Sequence, residues 1–257
     1  MTPTDARPPQ DDPLTDDPLT DRVQLLQRRR GHRYSLDDVI TAREGLRAVP
    51  TPRRYLDLGC GIGSVLLMVW DRAEPHPVEC AAIEAQAISA GLARRNIERA
   101  GAHVRFVEGD LRDEAARERL GGPFELITGT PPYAPPGTAT PSPDSQRAYA
   151  RIEYRGGIEA YAAAAAARLA PDGRFVVCAS CAEDRAHAAA GAAGLAIVRT
   201  LRVVPRAGRD VLFFVWTMAR GANQRARAEF IARDEGGERT ADYVALRRFF
   251  GLPKAAP

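Results

Sequence analysis

Lysine is almost missing from this chain of 257 residues: Lys254 is the only one, so nearly all positive charge is arginine. Cysteine is scarce as well. Cys60, Cys80, Cys178 and Cys181 are too few for a disulfide scaffold of this size, and the expected compartment is the reducing cytoplasm. Cys178 and Cys181 have C-x-x-C spacing, but no second pair completes a zinc site, and buried thiols are the simpler reading. No apolar run approaches the ~20 residues needed to span a bilayer, so no membrane partner is expected. The first twenty residues lack the basic-then-apolar order of a secretory signal,.

What is present has the balance of an ordinary globular protein, 45% hydrophobic and 27% charged,. Such a length buries a full core without metal or disulfide staples and predicts one or two domains. The net charge of +3 hides an asymmetry. Residues 1–21 hold Asp5, Asp11, Asp12, Asp16, Asp17 and Asp21 against Arg7, a balance of −5, which leaves +8 on the remaining 236 residues. Residues 11–20 repeat Asp-Asp-Pro-Leu-Thr in tandem. Two short, proline-bearing copies cannot bury an apolar face, which predicts a disordered acidic tail over residues 1–21.

Beyond it, strand-like and helix-like segments alternate. Strands are predicted at Arg54–Leu58, Val78–Ile83, Val104–Val107, Phe124–Thr128 and Arg174–Cys178, with helices at Ser64–Trp70, Ala85–Ala100, Asp113–Leu120 and Ile158–Leu169 between them,. Repeated βαβ units imply a doubly wound α/β sheet, mostly parallel. Ala196–Val204 and Val211–Met218 are separated only by residues 205–210. That gap has no room for a crossover helix, so the two should pair as a C-terminal antiparallel hairpin.

Tyr55-Leu-Asp-Leu-Gly-Cys-Gly-Ile-Gly63 places Gly59, Gly61 and Gly63 between the first strand and its helix. Such turns let a ligand approach the backbone and the helix N-terminus. The spacing is G-x-G-x-G, with Ser64 where a dinucleotide fingerprint would have its third glycine,. That disfavours a nicotinamide oxidoreductase. Three acids stand at strand ends. Asp57 can receive an ammonium group, Glu84 can accept from ribose hydroxyls, and Asp110, with Leu111 beside it, can accept from an adenine amino group. Singly, each acid is as readily a solvated or capping residue. Together they describe a pocket for an adenosine that carries an amino acid, namely S-adenosylmethionine.

The fourth strand runs into Thr130-Pro-Pro-Tyr133. An exocyclic amine on a planar ring is a poor nucleophile because its lone pair is delocalised. Two acceptors on its hydrogens favour the geometry that frees the pair, increasingly as positive charge develops. Pro131 and Pro132 lack N–H groups and stiffen the loop, leaving carbonyls free, and Tyr133 offers a stacking face. A simple proline turn with a packed tyrosine is the alternative.

With the glycine loop and the three acids, this tetrapeptide resembles class I S-adenosylmethionine-dependent methyltransferases that act on planar amino nitrogens. A closer resemblance covers most of residues 20–252. Gly31-His-Arg-Tyr-Ser-Leu-Asp37, the looser Gln146–Glu153 stretch and Thr240-Ala-Asp-Tyr243 to Phe250 are similar to bacterial tRNA adenine N6-methyltransferases of the valine-tRNA type. The resemblance implies a seven-stranded Rossmann-like sheet and one methyltransferase domain over 22–257; it leaves the oligomeric state open, with a monomer favoured. It also implies catalytic roles for Thr130, Pro131, Pro132 and Tyr133, and puts Ser35 and Asp37 near the methionine end of the cofactor. Helix capping is the other reading of Asp37. The family carries asparagine where Thr130 stands; a threonine hydroxyl still accepts a hydrogen bond but reaches less far. No metal is needed, because a sulfonium is already a good leaving group.

RNA, tRNA in particular, is the implied partner. Arg28 to Arg30 with Arg33, the pairs Arg53–Arg54 and Arg94–Arg95, and the arginines between 220 and 233 are candidate phosphate contacts. Two rivals stand: methylation of a protein glutamine amide, and an RNA-binding protein that has lost transfer through Thr130.

Overall fold

In the computed structural model, which describes residues 12–77, 79–221 and 225–252, the predicted βαβ units form one mixed sheet. Its strands are β3 (Arg54–Leu58), β4 (Glu79–Glu84), β5 (Val104–Glu108), β6 (Phe124–Gly129), β7 (Leu169–Ala179), β8 (Ala196–Val204), β9 (Phe213–Ala219) and β10 (Ala226–Ile231). They lie in the order β10-β8-β9-β7-β6-β3-β4-β5. The expected hairpin is there, β8 pairing antiparallel with β9. The sheet has eight strands, not seven, because β10 adds a parallel edge strand to β8. Its sequence, Ala-Arg-Ala-Glu-Phe-Ile, has one aromatic and alternating charges, as an edge that faces water does.

Helices cover both faces. On one lie α1 (Leu36–Ala48), α2 (Ser64–Arg72), α3 (Ala87–Ala100) and the C-terminal α8 (Ala241–Phe249), packed over Tyr55, Leu126 and Val176. On the other lie the short α4 (Glu114–Glu118), α6 (Ile158–Arg168) and α7 (Glu183–Ala192), over Leu56, Leu58, Ile127 and Phe175. The alternation of Tyr55 and Leu126 against Leu56 and Ile127 is the period of two expected of strands buried on both faces. The chain order reverses at β3, which pairs with β4 on one side and β6 on the other. Ligands bind at such a switch point, beyond the C-terminal ends of the strands.

The expected disordered tail is corrected by the structure. Residues 1–11 lie outside the described residues, but β1 (Leu14–Pro18) pairs antiparallel with β2 (Gln24–Arg28). Two causes hold the hairpin. Leu25 and Leu26 are buried, and the fully buried Asn96 of α3 accepts from the Leu26 N–H at 2.8 Å while donating to the Leu26 and Ile62 carbonyls at 3.0 and 2.9 Å. The aspartates are ion-paired as well: Asp12 with Arg28, Asp16 with Arg99, Asp17 with Arg33, and Asp21 with Arg72. Four of the six aspartates of the −5 segment are therefore paired with arginines of the +8 segment.

Candidate active site

Two adjoining clefts open beyond the ends of β3, β4, β5 and β6. The inner one is lined by Gly59, Gly61, Glu84, Asp110, Leu111 and Pro132, among others. Gly59 and Gly61 adopt φ of 60° and 57°, and Gly63, with φ of 89°, precedes the first turn of α2. At Gly59 a side chain is excluded outright: a Cβ would lie 2.0 Å from the Tyr161 hydroxyl. The Gly61 N–H donates to Glu84 Oε2 at 2.9 Å and the Gln86 N–H to Oε1 at 2.6 Å. Burial raises the Glu84 carboxyl above its ordinary value against the pull of these N–H groups. Asp110 is held by Arg112, whose guanidinium donates to both carboxylate oxygens. Burial pushes this carboxyl up, but Arg112 outweighs it and the net shift is downward.

Asp57 is not in either cleft. It shares the face of Tyr55, is 2% exposed, and accepts from Thr128 Oγ1 at 2.7 Å, with the Tyr55 hydroxyl 2.7 Å from that same oxygen. Its second oxygen, Oδ2, has no partner among the described residues, and burial pushes the carboxyl up to about 7. The acid that faces both clefts is Asp38, one position after the residue the motif singles out. Its carboxylate accepts from the Ser35 N–H at 2.8 Å and from Ser64 Oγ at 3.1 Å. Burial, with Asp37 next to it, raises it well above the usual range.

The outer cleft is lined by Ser35, Asp37, Asp38, Thr130, Pro131, Tyr133, Arg147 and Arg151, with others. Ser35 and Asp37 thus stand beside Tyr133 and do not line the inner cleft. The Tyr133 hydroxyl donates to Asp37 Oδ2 at 2.8 Å and lies 3.2 Å from Cys178 Sγ. Its ring is offset-stacked on Phe213, 6.5 Å between centroids. Thr130 alone of the tetrapeptide lines both clefts, with Pro131 in the outer and Pro132 in the inner.

Sequence reasoning gave no role to three further lining groups, two of them inside the stretches that carry the family resemblance. Gln146, on α5 (Ser145–Arg151), is 1% exposed; its Oε1 accepts from Arg28 at 3.1 Å and its Nε2 donates to Ser89 Oγ at 3.1 Å. His32 lines both clefts, and its imidazole is lowered by burial, with Asp37 opposing and Arg151 and Arg147 adding to the shift. Tyr161 of α6 supports Gly59 from below. An α-helix that delivers Tyr161 some hundred residues after the glycine leaves no local signal in the sequence.

The arginine clusters are mostly engaged within the fold. Arg28 is 3% exposed between Asp12 and Asp144, so it is a structural residue and not a phosphate contact. Arg33 pairs with Asp17, Arg54 with Glu79, Arg94 with Glu108, and Arg227 of β10 with Glu183. Part of the 220–233 stretch, residues 222–224, lies outside the described residues.

Comparison with known proteins agrees with this architecture. Residues 44–142 match the family model of the methyltransferase small domain. The chain is 28% identical over 207 residues to the tRNA1(Val) (adenine(37)-N6)-methyltransferase of Aeromonas hydrophila, covering 79% of this chain and 84% of that one. It is 35% identical over 142 residues to the release factor glutamine methyltransferase of Deinococcus radiodurans, spanning about half of each protein, 53% and 48%. Among solved structures, a predicted O-methyltransferase from Agrobacterium tumefaciens superposes with a TM-score of 0.62 at 21% identity, over 86% of this chain and all of that one. That likeness is one of fold. The chain is a methyltransferase with a Rossmann-like sheet, similar over most of its length to the tRNA1(Val) adenine N6 enzymes.

Proposed function

We propose that this methyltransferase uses S-adenosylmethionine to methylate an exocyclic amino nitrogen, adenine N6 of tRNA or of another structured RNA. The observation that carries the reading is the position of Thr130 at the junction of the two clefts, with Pro132 turned to one and Pro131 to the other.

The inner cleft fits an adenosine that carries an amino acid. Glu84, fixed by two N–H groups, retains free lone pairs for ribose hydroxyls, and Asp110 and Leu111 lie at the next strand end,. Beside Gly61 a Cβ would meet nothing within 4 Å, so ligand can approach the backbone there. Asp38 is the acid available to an ammonium group at the boundary of the clefts. When bound, the cofactor supplies an electrophilic methyl group on a sulfonium, so the protein contributes positioning and electrostatics.

At the junction, the Thr130 hydroxyl and the Pro131 carbonyl accept the two amine hydrogens. The Thr130 hydroxyl makes no hydrogen bond to another described residue and is free for this. The bond from the methyl carbon to the sulfonium would break as the N–C bond forms, leaving a neutral thioether; the positive charge passed to nitrogen would be bound more tightly by both acceptors, which lowers the barrier. The proton then shed by the amine would pass to solvent water in the open outer cleft. Tyr133, its hydroxyl tied to Asp37, keeps its ring edge-fixed beside the target.

Similarity to release factor glutamine methyltransferases over half the chain favours a second reading, transfer to a protein amide. Incubation with methyl-labelled cofactor and separate tRNA and protein fractions tests both. Label in tRNA is the expected result. Label confined to protein favours the amide, and label in neither overturns both.

A further inference from the structure

Among the arginines, Arg147 and Arg151 differ from those of the N-terminal clusters. They stand four residues apart on α5 and so share one face of it,. Both line the outer cleft, and neither guanidinium pairs with a carboxylate among the described residues. Of the acids in that cleft, Asp38 is buried and Asp37 is engaged by the Tyr133 hydroxyl. Arg33, the other arginine there, already pairs with Asp17 at 2.9 Å.

The backbone that carries the pair is fixed at both ends. At the start of α5, Asp144 Oδ1 accepts from the Arg147 N–H at 3.0 Å, and the same carboxylate is held at 2.6 Å by the buried Arg28. At its end, the Arg151 carbonyl accepts from the Ala134 N–H at 3.0 Å, and the Glu153 N–H donates to the Ala134 carbonyl at 2.9 Å. Ala134 follows Tyr133 directly. The two guanidinium groups are thus carried on a backbone frame tied to the tetrapeptide, and the ordering left to be lost on binding is that of the two side chains,. Long arginine side chains with no internal partner, set on such a frame, suit anionic oxygens in forked geometry.

We propose that Arg147 and Arg151 form a phosphate-binding subsite in the outer cleft, which holds the backbone phosphates flanking a base presented to Thr130 and Pro131. The inference rests on the amine-methylation reading above and narrows it to a polynucleotide acceptor. A neutral side-chain amide supplies no anion of its own, whereas every nucleotide of a polynucleotide carries one, and a free nucleoside lacks the phosphates.

The test uses the full chain and bulk unmodified tRNA, with binding measured over a salt series for wild type, Arg147→Ala/Arg151→Ala and Arg147→Lys/Arg151→Lys. Each phosphate contact to a single strand contributes ~0.7 to the slope of log K against log salt. The alanine pair is expected to lower that slope by about 1.4 and to weaken tRNA binding by roughly tenfold or more at low salt. The lysine pair should keep most of the slope, and all three proteins should bind S-adenosylmethionine equally. An unchanged slope in the alanine pair overturns the subsite, as does equal loss of tRNA and cofactor binding. Methyl transfer, followed in the same samples, separates the two levels. Wild type that labels no RNA defeats the acceptor reading, whereas RNA labelling with a slope indifferent to the alanine pair defeats the subsite alone.

Discussion

The Tyr133 hydroxyl donates to Asp37 Oδ2 at 2.8 Å, joining the loop after β6 to the first turn of α1 across 96 residues of sequence. Asp37 also accepts from the Ser35 hydroxyl and from the Asp38 N–H at 3.2 Å, so the bond makes one unit of the segment that borders both clefts. Tyr133→Phe keeps the ring and removes only the donor. A hydrogen bond to a charged group is worth about 1.5–3 kcal/mol, and a loss of that order is expected in denaturant unfolding. Turnover should fall while cofactor affinity, measured by calorimetry, stays within about twofold, because Tyr133 does not line the inner cleft,.

Arg28 reads in the sequence as one of three consecutive surface arginines. Buried between Asp12 and Asp144 and donating to Gln146, it is a fold-determining residue. Removing one member of a buried pair leaves the partner charges uncompensated, at a cost of about 3–5 kcal/mol. Arg28→Ala should therefore lower the melting temperature sharply and weaken both cofactor and RNA binding, through release of α5. The neighbouring Arg29, exposed and without such partners, gives the contrast: Arg29→Ala should leave the melting temperature within a degree or two. Equal melting of the two variants would refute the structural role.

The parts of the site that were legible in the sequence are those whose signal is local. Gly59, Gly61 and Gly63 show as a turn because only positive φ fits there, and Glu84 and Asp110 show because a polar residue ends each apolar strand. The hairpin of β1 and β2 was not legible. Leu-Thr-Asp-Asp-Pro has poor strand propensity, and what holds it, Arg99, Asn96 and Arg33, comes from elsewhere in the chain. Asp57 misled for a related reason. Its place at a strand end suggests a ligand contact, but strand alternation turns it to the face of Tyr55 and into the core, while Asp38 looks in sequence like a second helix-start acid.

Glu84 is the carboxylate on which cofactor binding most depends. Both its oxygens are already oriented by the Gly61 and Gln86 N–H groups, so they meet ribose hydroxyls without reorganisation. Glu84→Ala removes the acceptors and frees the Gly61 turn, and calorimetry should show at least a tenfold loss of S-adenosylmethionine affinity. Glu84→Gln keeps one acceptor and the shape, so an intermediate loss is expected. Wild-type affinity in both variants would show that the ribose is held elsewhere.

Asp57 provides a test of the fold by pH. Burial, with Glu84 adding and Thr128 opposing, pushes its carboxyl from an ordinary 3.8 up to about 7. In the unfolded chain the group ionises near 3.8, so between pH ~4 and ~7 the folded protein holds a proton that the unfolded chain has released. Stability from this group therefore falls as pH rises through that window, and the loss is complete above about pH 7. Over pH 5 to 8 the decrement is of the order of 3 kcal/mol. Asp57→Asn cannot ionise, and its Oδ1 can still accept from Thr128. Subtracting the variant from the wild type cancels the titrating groups remote from Asp57, while Asp38 and Glu84, which interact with it, contribute to the difference,. Denaturant unfolding should thus show Asp57→Asn gaining on wild type by about that amount between pH 5 and pH 8. A difference that stays constant across this range would mean that Asp57 ionises as an exposed aspartate does, which its unpartnered, buried Oδ2 argues against.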